Sequence, residues 1–173
     1  KLAEKKTYNF FSSFINTKKY PLTYMSDLTS VELTKVIENT YRAVNIAFVD
    51  EWTRFSEDLN INLYEIISAI HKRDTHKNLR YPGLDVGGYC LTKDPLMGKI
   101  ANKIFSKNKL SFPLSLRATQ INKEMPLTSI NLIKKFHNLK IKDKILIAGV
   151  SYKNEIGDTR HTPSKLLYDF FSQ

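Results

Sequence analysis

At 173 residues the chain can form one ordinary domain or parts of several, and its 42% hydrophobic content is enough for a core. The formal charge of +10 favours anionic partners such as sugar nucleotides. It is scattered in pairs (Lys5-Lys6, Lys18-Lys19, Lys134-Lys135), the pattern of a solvated face and a poor argument for nucleic acid. No apolar run is long enough to span a bilayer and none reads as a signal peptide, so no membrane partner is expected. A single cysteine excludes an intrachain disulfide, and the thiol suits a reducing compartment, here the cytoplasm.

In chain order, residues 3–16 place Phe10, Phe11, Phe14 and Ile15 on one helical stripe. Lys18-Lys19 ends that helix, and Tyr20 to Met25 reads as a short strand. Ser26 to Leu59 carries the longest helical signal, with Thr29 or Ser30 as cap and Glu32 near the first turn. Leu33, Val36, Ile37, Val44, Ala47, Phe48, Trp52 and Phe55 recur at threes and fours with no Gly or Pro between them. Such a run gives about 45 Å of helix, which suits a span between domains or a partner chain. Within it Lys35 and Asn39 project from the same face, one turn apart.

Asn60-Ile-Asn62 breaks the long helix, and Asn62 with Glu65 starts a second one through His71. The polar stretch Lys72 to Arg80 reads as loop. His71 and His76 lack companions at metal-ligand spacing, so no metal site is expected. Tyr81 to Pro95 then holds three of the six glycines and the only cysteine. Glycines at this density suggest a tight loop lying against a ligand. Asp94-Pro95 reads as a helix start, Asp as N-cap and Pro as first helical residue, with the helix running to about Ser106. Cys90 then sits just before a helix N-terminus, where the dipole favours a thiolate. Pro113 starts another helix, which Pro126 interrupts or kinks and which resumes from Leu127 to His137. Lys144 to Val150 is apolar enough for a buried parallel strand. Ser151 to Thr162 reads as loop, and Thr162-Pro163 opens a last helix ending at Gln173.

Four pieces stand in one order: Glu32-Leu-Thr-Lys35 with Asn39, then Gly87-Gly88-Tyr89-Cys90, then Lys93-Asp94-Pro95, then Gly149 to Lys153 with Asp158-Thr-Arg160. This order resembles the UDP-glucose/GDP-mannose dehydrogenase family, whose members oxidise a nucleotide-sugar alcohol to a uronic acid with NAD. The resemblance implies a mainly α chain with a long central helix, flanked by parts of two Rossmann-like α/β domains. Residues 1–25 resemble the end of the NAD-binding domain, 26–138 the helical dimerisation and catalytic domain, and 139–173 the start of the nucleotide-sugar domain. By the same resemblance Cys90 is the nucleophile that holds the aldehyde as a thiohemiacetal and then a thioester. Lys35 and Asn39 stabilise the oxyanion, and Asp94 positions or activates water.

Leu79, Arg80, Tyr81, Pro82, Gly83 and Gly87 match the loop along the UDP-sugar. Lys153 matches a substrate-binding lysine, and Lys93 and Arg160 match NAD contacts. A homodimer is implied, with either Arg73 or Arg80 completing the partner's pocket. Tyr89 before the cysteine leans slightly towards UDP-glucose as substrate. The glycine fingerprint of a dinucleotide site is not in the chain, so the chain by itself is expected to be inactive. Two rival readings are a non-catalytic helical dimerisation module, motivated by the long helix, and a basic nucleic-acid-binding domain, motivated by charge alone.

Overall fold

The structure, a computed structural model, describes residues 2–140 and 142–172. It is mainly α: α1 (Leu2–Ser12), α2 (Leu28–Asp58), α3 (Leu63–Ile70), α4 (Cys90–Phe105), α5 (Pro113–Phe136) and α6 (Pro163–Phe171), with one 3-10 turn over Asp74–His76. The expected end of the last helix, Gln173, lies outside the described residues. Two compact units divide the chain at residues 34 and 35.

In the first unit the rings of Phe10, Phe11 and Phe14 meet edge to face at 5.3–5.8 Å. None of α1 is buried, however, so this aromatic cluster has no core to enter. Tyr20 to Met25 is irregular and does not form the expected strand. A strand exists only through its ladder, and among the described residues no segment pairs with it. The cap of α2 also differs from the expectation. Asp27 supplies it, accepting from the Ser30 amide at 2.9 Å and the Ser30 hydroxyl at 2.8 Å. A carboxylate facing free N–H groups and the positive helix end does this better than a hydroxyl. The Ser30 amide bond, with the Ser30 and Ser26 hydroxyl bonds, holds the Asp27 carboxyl below its ordinary value.

In the second unit Ala47 of α2 meets Ala118 and Ile121 of α5, with Val44 beside them, and Ala43 is fully buried. Small side chains at this point leave the α2 backbone within reach. The buried Asn122 then donates to the Ala43 carbonyl at 2.9 Å, tying α5 to α2. Further along α2, Val49 packs on Leu63 and Ile67 of α3 and on Leu79. The start of α3 is as expected: Asn62 accepts from the Tyr64 amide at 3.1 Å and donates to Glu65 at 3.1 Å. Pro126 does not interrupt α5, which is one helix through it. The single N–H lost there is offset by burial of the ring, among the most enclosed side chains of the chain.

Lys144 to Val150 forms no strand, and Leu146 is 89% exposed. A parallel strand needs a neighbour on its edge and helices on its faces, and the described residues supply no such neighbour.

Candidate active site

The end of the glycine loop, the first turns of α4 and the Lys35–Arg42 stretch of α2 meet around Asp94. The predicted helix start at Asp94-Pro95 is corrected here: α4 begins four residues earlier, so Cys90 is its first residue and Asp94 lies within it. The helix start at Cys90 has no side-chain cap; the Thr92 hydroxyl ties its first turn back to the glycine loop by donating to the Gly88 carbonyl at 2.9 Å. Asp94 is released from capping and turns inward. It is 7% exposed, with Oδ1 accepting from Lys93 Nζ at 2.6 Å and Oδ2 accepting from Asn39 Nδ2 at 2.5 Å. Asn39 is fully enclosed, and its Oδ1 accepts in turn from the Arg42 guanidinium.

Burial alone would raise the Asp94 pKa. The hydrogen bonds from Lys93 and Asn39, with the charges of Lys93 and Lys35, outweigh it and bring the carboxyl below its ordinary value. A carboxylate held ionised in this way suits orienting a water better than taking its proton outright.

Cys90 is an exposed free thiol. Lys35 is exposed too and pairs with Glu38 at 3.0 Å, one turn before Asn39. Tyr89, half exposed, carries two cations against its ring: Lys93 Nζ at 5.1 Å and the Arg160 guanidinium at 5.3 Å. Arg160 is held by both oxygens of Asp158, at 2.9 and 2.8 Å, which keeps the Asp158 carboxyl down at about 2. Two cations converging on one exposed ring suit a polyanion such as a dinucleotide pyrophosphate.

The predicted substrate loop is anchored to α2 and α3. Asn45 of α2 accepts from the Arg80 amide at 2.9 Å and donates to the Asn78 carbonyl at 3.2 Å. Tyr81 stacks on Tyr64 at 5.6 Å, meets His71 edge-on at 5.2 Å, and sits 3.2 Å from the Ser68 hydroxyl. His71 bonds the Leu79 carbonyl at 2.8 Å, and Tyr64 donates to the Pro82 carbonyl at 3.4 Å. Gly83 and Lys153 are exposed, as is Arg73, beside the 3-10 turn and away from the Asp94 network.

Thus Lys35, Asn39, Lys93 and Asp94 share one electrostatic network, Cys90 influences Lys93, and Arg160 joins through Tyr89. Sequence reasoning missed Arg42, Asn45 and Thr92. Arg42 lies on the Asn39 face of α2, three residues on, and Thr92 follows Gly88 by four, so helical spacing could have pointed to those two; Asn45, six residues from Asn39, faces the Asn78–Arg80 segment instead.

Comparison with known proteins shows what the chain is similar to. Residues 29–124 match the central-domain model of the UDP-glucose/GDP-mannose dehydrogenase family. The chain is 37% identical over 142 residues to a UDP-N-acetyl-D-mannosamine dehydrogenase of Methanocaldococcus jannaschii, covering 82% of this chain and 31% of that protein. A Methanococcus aeolicus enzyme of the same name is 34% identical over 154 residues, covering 87% of this chain and 33% of the relative. The structure of a UDP-D-ManNAc dehydrogenase from Pyrococcus horikoshii superposes with a TM-score of 0.75 at 31% identity, covering 99% of this chain and 38% of the other. The chain therefore spans about a third of the length of the relatives it matches. With more than half of its residues inside the family's central domain, the chain belongs to the UDP-glucose/GDP-mannose dehydrogenase family.

Proposed function

We propose that the chain is the helical core of an NAD-dependent enzyme that oxidises the C6 alcohol of a UDP-sugar to the uronic acid, with Cys90 as nucleophile. In this reading residues 26–138 are the catalytic and dimerising domain, and residues 1–25 and 139–173 belong to flanking domains. The observation that carries it is an exposed thiol at the first position of α4, one turn before a buried carboxylate held by Asn39 and Lys93.

The Cys90 sulfur adds to the C6 aldehyde, forming a carbon–sulfur bond and a thiohemiacetal oxygen. Lys35 stabilises the negative charge developing on that oxygen. Asn39, enclosed behind the site, acts by holding Asp94 with an amide hydrogen. After the second oxidation the sugar is a thioester on Cys90. Asp94 orients the water that attacks it, the carbon–sulfur bond breaks, and acid and thiol are released. NAD would take up one hydride per molecule, two molecules serving the two oxidations in turn. Lys93 and Arg160 are the residues that would hold it here, and the Tyr89 ring keeps their charges together. Leu79 to Gly83, Gly87 and Lys153 line the UDP-sugar. Either Arg73 or Arg80 reaches the partner's pocket.

The names of the relatives favour a UDP-N-acetylhexosamine, UDP-N-acetylmannosamine first, over the UDP-glucose to which Tyr89 leans. The test is NADH formation by the full-length enzyme with UDP-N-acetylmannosamine, UDP-N-acetylglucosamine and UDP-glucose side by side. The highest kcat/KM is expected with UDP-N-acetylmannosamine. No NADH with any of them would remove the assignment. The chain by itself is expected to form none. A thiol nucleophile suits a reducing compartment such as the cytoplasm.

A homodimer forms through the long helix. Phe48, Trp52 and Phe55 of α2 are each about half exposed and, with Ile61 and Ile66, line an open apolar groove of about 350 Å³. Apolar surface of this extent marks a protein contact.

A further inference from the structure

The glycine pair before Cys90 is gripped from outside its own loop. Tyr152 lies across both residues. A Cβ on Gly87 would run into the Tyr152 Cβ and stand 2.9 Å from the His161 carbonyl oxygen, and one on Gly88 would stand 2.7–3.0 Å from three carbons of the Tyr152 ring. The Gly88 amide donates to the Arg160 carbonyl at 2.9 Å, and the Gly88 carbonyl accepts from the Thr92 hydroxyl at 2.9 Å. Gly88 has φ +80°, a conformation only glycine takes without strain. Both polar groups of this residue are thus satisfied, one by the segment after Gly149 and one by α4. Its ring contact comes from the residue next to Lys153. The helix whose first residue is Cys90 starts from this clamped turn.

We propose that Tyr152 is a positioning residue for Cys90, its ring pressing the Gly87-Gly88 turn into the shape from which α4 starts and so aiming the nucleophile. The segment carrying the substrate-binding Lys153 then also sets the direction of the thiol. This inference rests on Cys90 being the nucleophile, but the clamp can be tested without activity. The contacts on Gly88 are made by ring carbons, so Tyr152→Phe keeps them and Tyr152→Ala removes them, while the Cβ beside Gly87 remains in both.

In this chain, hydrogen exchange of the buried Gly88 amide, which donates to the Arg160 carbonyl, should be at least about fivefold faster in Tyr152→Ala than in wild type, because the turn opens more often. Tyr152→Phe should stay within about twofold of wild type. Thr92→Val, which loosens the same turn from the α4 side, should move the rate in the same direction. In the full-length enzyme Tyr152→Ala should lower kcat about tenfold or more while the KM for the UDP-sugar stays within about threefold, since misaim costs chemistry rather than binding. Tyr152→Phe should keep kcat near wild type. Equal exchange rates in wild type, Tyr152→Ala and Thr92→Val would overturn the clamp whether or not the enzyme is active. If Tyr152→Ala does not fold, an unchanged rate in Thr92→Val overturns it alone. Faster exchange with an unchanged kcat in Tyr152→Ala would overturn the positioning role. Faster exchange in an enzyme inactive on every UDP-sugar would uphold the clamp and remove the proposed reaction.

Discussion

Asn39 and Asp94 are both buried polar side chains, and each depends on the other. Replacing Asn39 by Ala removes a donor from Asp94 and an acceptor from Arg42. Leaving charged groups short of partners in a buried site costs about 2–4 kcal/mol. Thermal unfolding of Asn39→Ala should show this as a fall of roughly 10 °C in Tm. A variant melting with wild type would mean the network carries no stability. Asp85 offers the opposite sign. Burial pushes its carboxyl up to about 6 from an ordinary 3.8, and the Val86 amide lowers it only in part. A folded pKa above the unfolded one means stability that is full below the unfolded value and lost as pH rises through the folded value. In urea titrations between about pH 4 and pH 7, wild type should lose stability relative to Asp85→Asn as pH rises. Parallel profiles would show that ionised Asp85 costs the fold nothing.

The elements set by local chemistry were legible in the sequence, and those set by distant partners were not. The span of α2, the Asn62 start of α3 and the Pro113 start of α5 followed from periodicity, a side-chain cap and proline. The start of α4 was misplaced because Asp94-Pro95 has the form of a cap, while Asp94 is drawn inward by Asn39 of another helix, 55 positions away. Order along the chain linked Lys35, Asn39, Cys90 and Asp94. Tyr152 had no local signal, because its importance lies in two glycines more than sixty residues earlier. Strands failed for the same reason: apolar content marks 144–150 as sheet-forming, but a ladder is made by other chain segments. In hydrogen exchange the amides of 144–150 should be unprotected in this chain and become protected in the full-length enzyme. Protection already present in this chain would contradict the absence of a ladder.

For the whole molecule, the apolar groove beside α2 and the thiol at the start of α4 are separate features, and they call for separate tests. Trp52→Lys puts a charge into the groove formed by Phe48, Phe55 and Ile66. Sedimentation should find wild type dimeric and Trp52→Lys shifted to monomer at micromolar concentration, because burying an unpaired ammonium is costly. An unchanged dimer would place the interface elsewhere. The central claim is that Cys90 forms the covalent intermediate, and the most direct measurement is product analysis with Cys90→Ser in the full-length enzyme supplied with NAD and UDP-N-acetylmannosamine. The account predicts that no uronic acid forms, because a serine hydroxyl does not carry the sugar through the thioester stage. Uronic acid produced at wild-type rates by Cys90→Ser would contradict it.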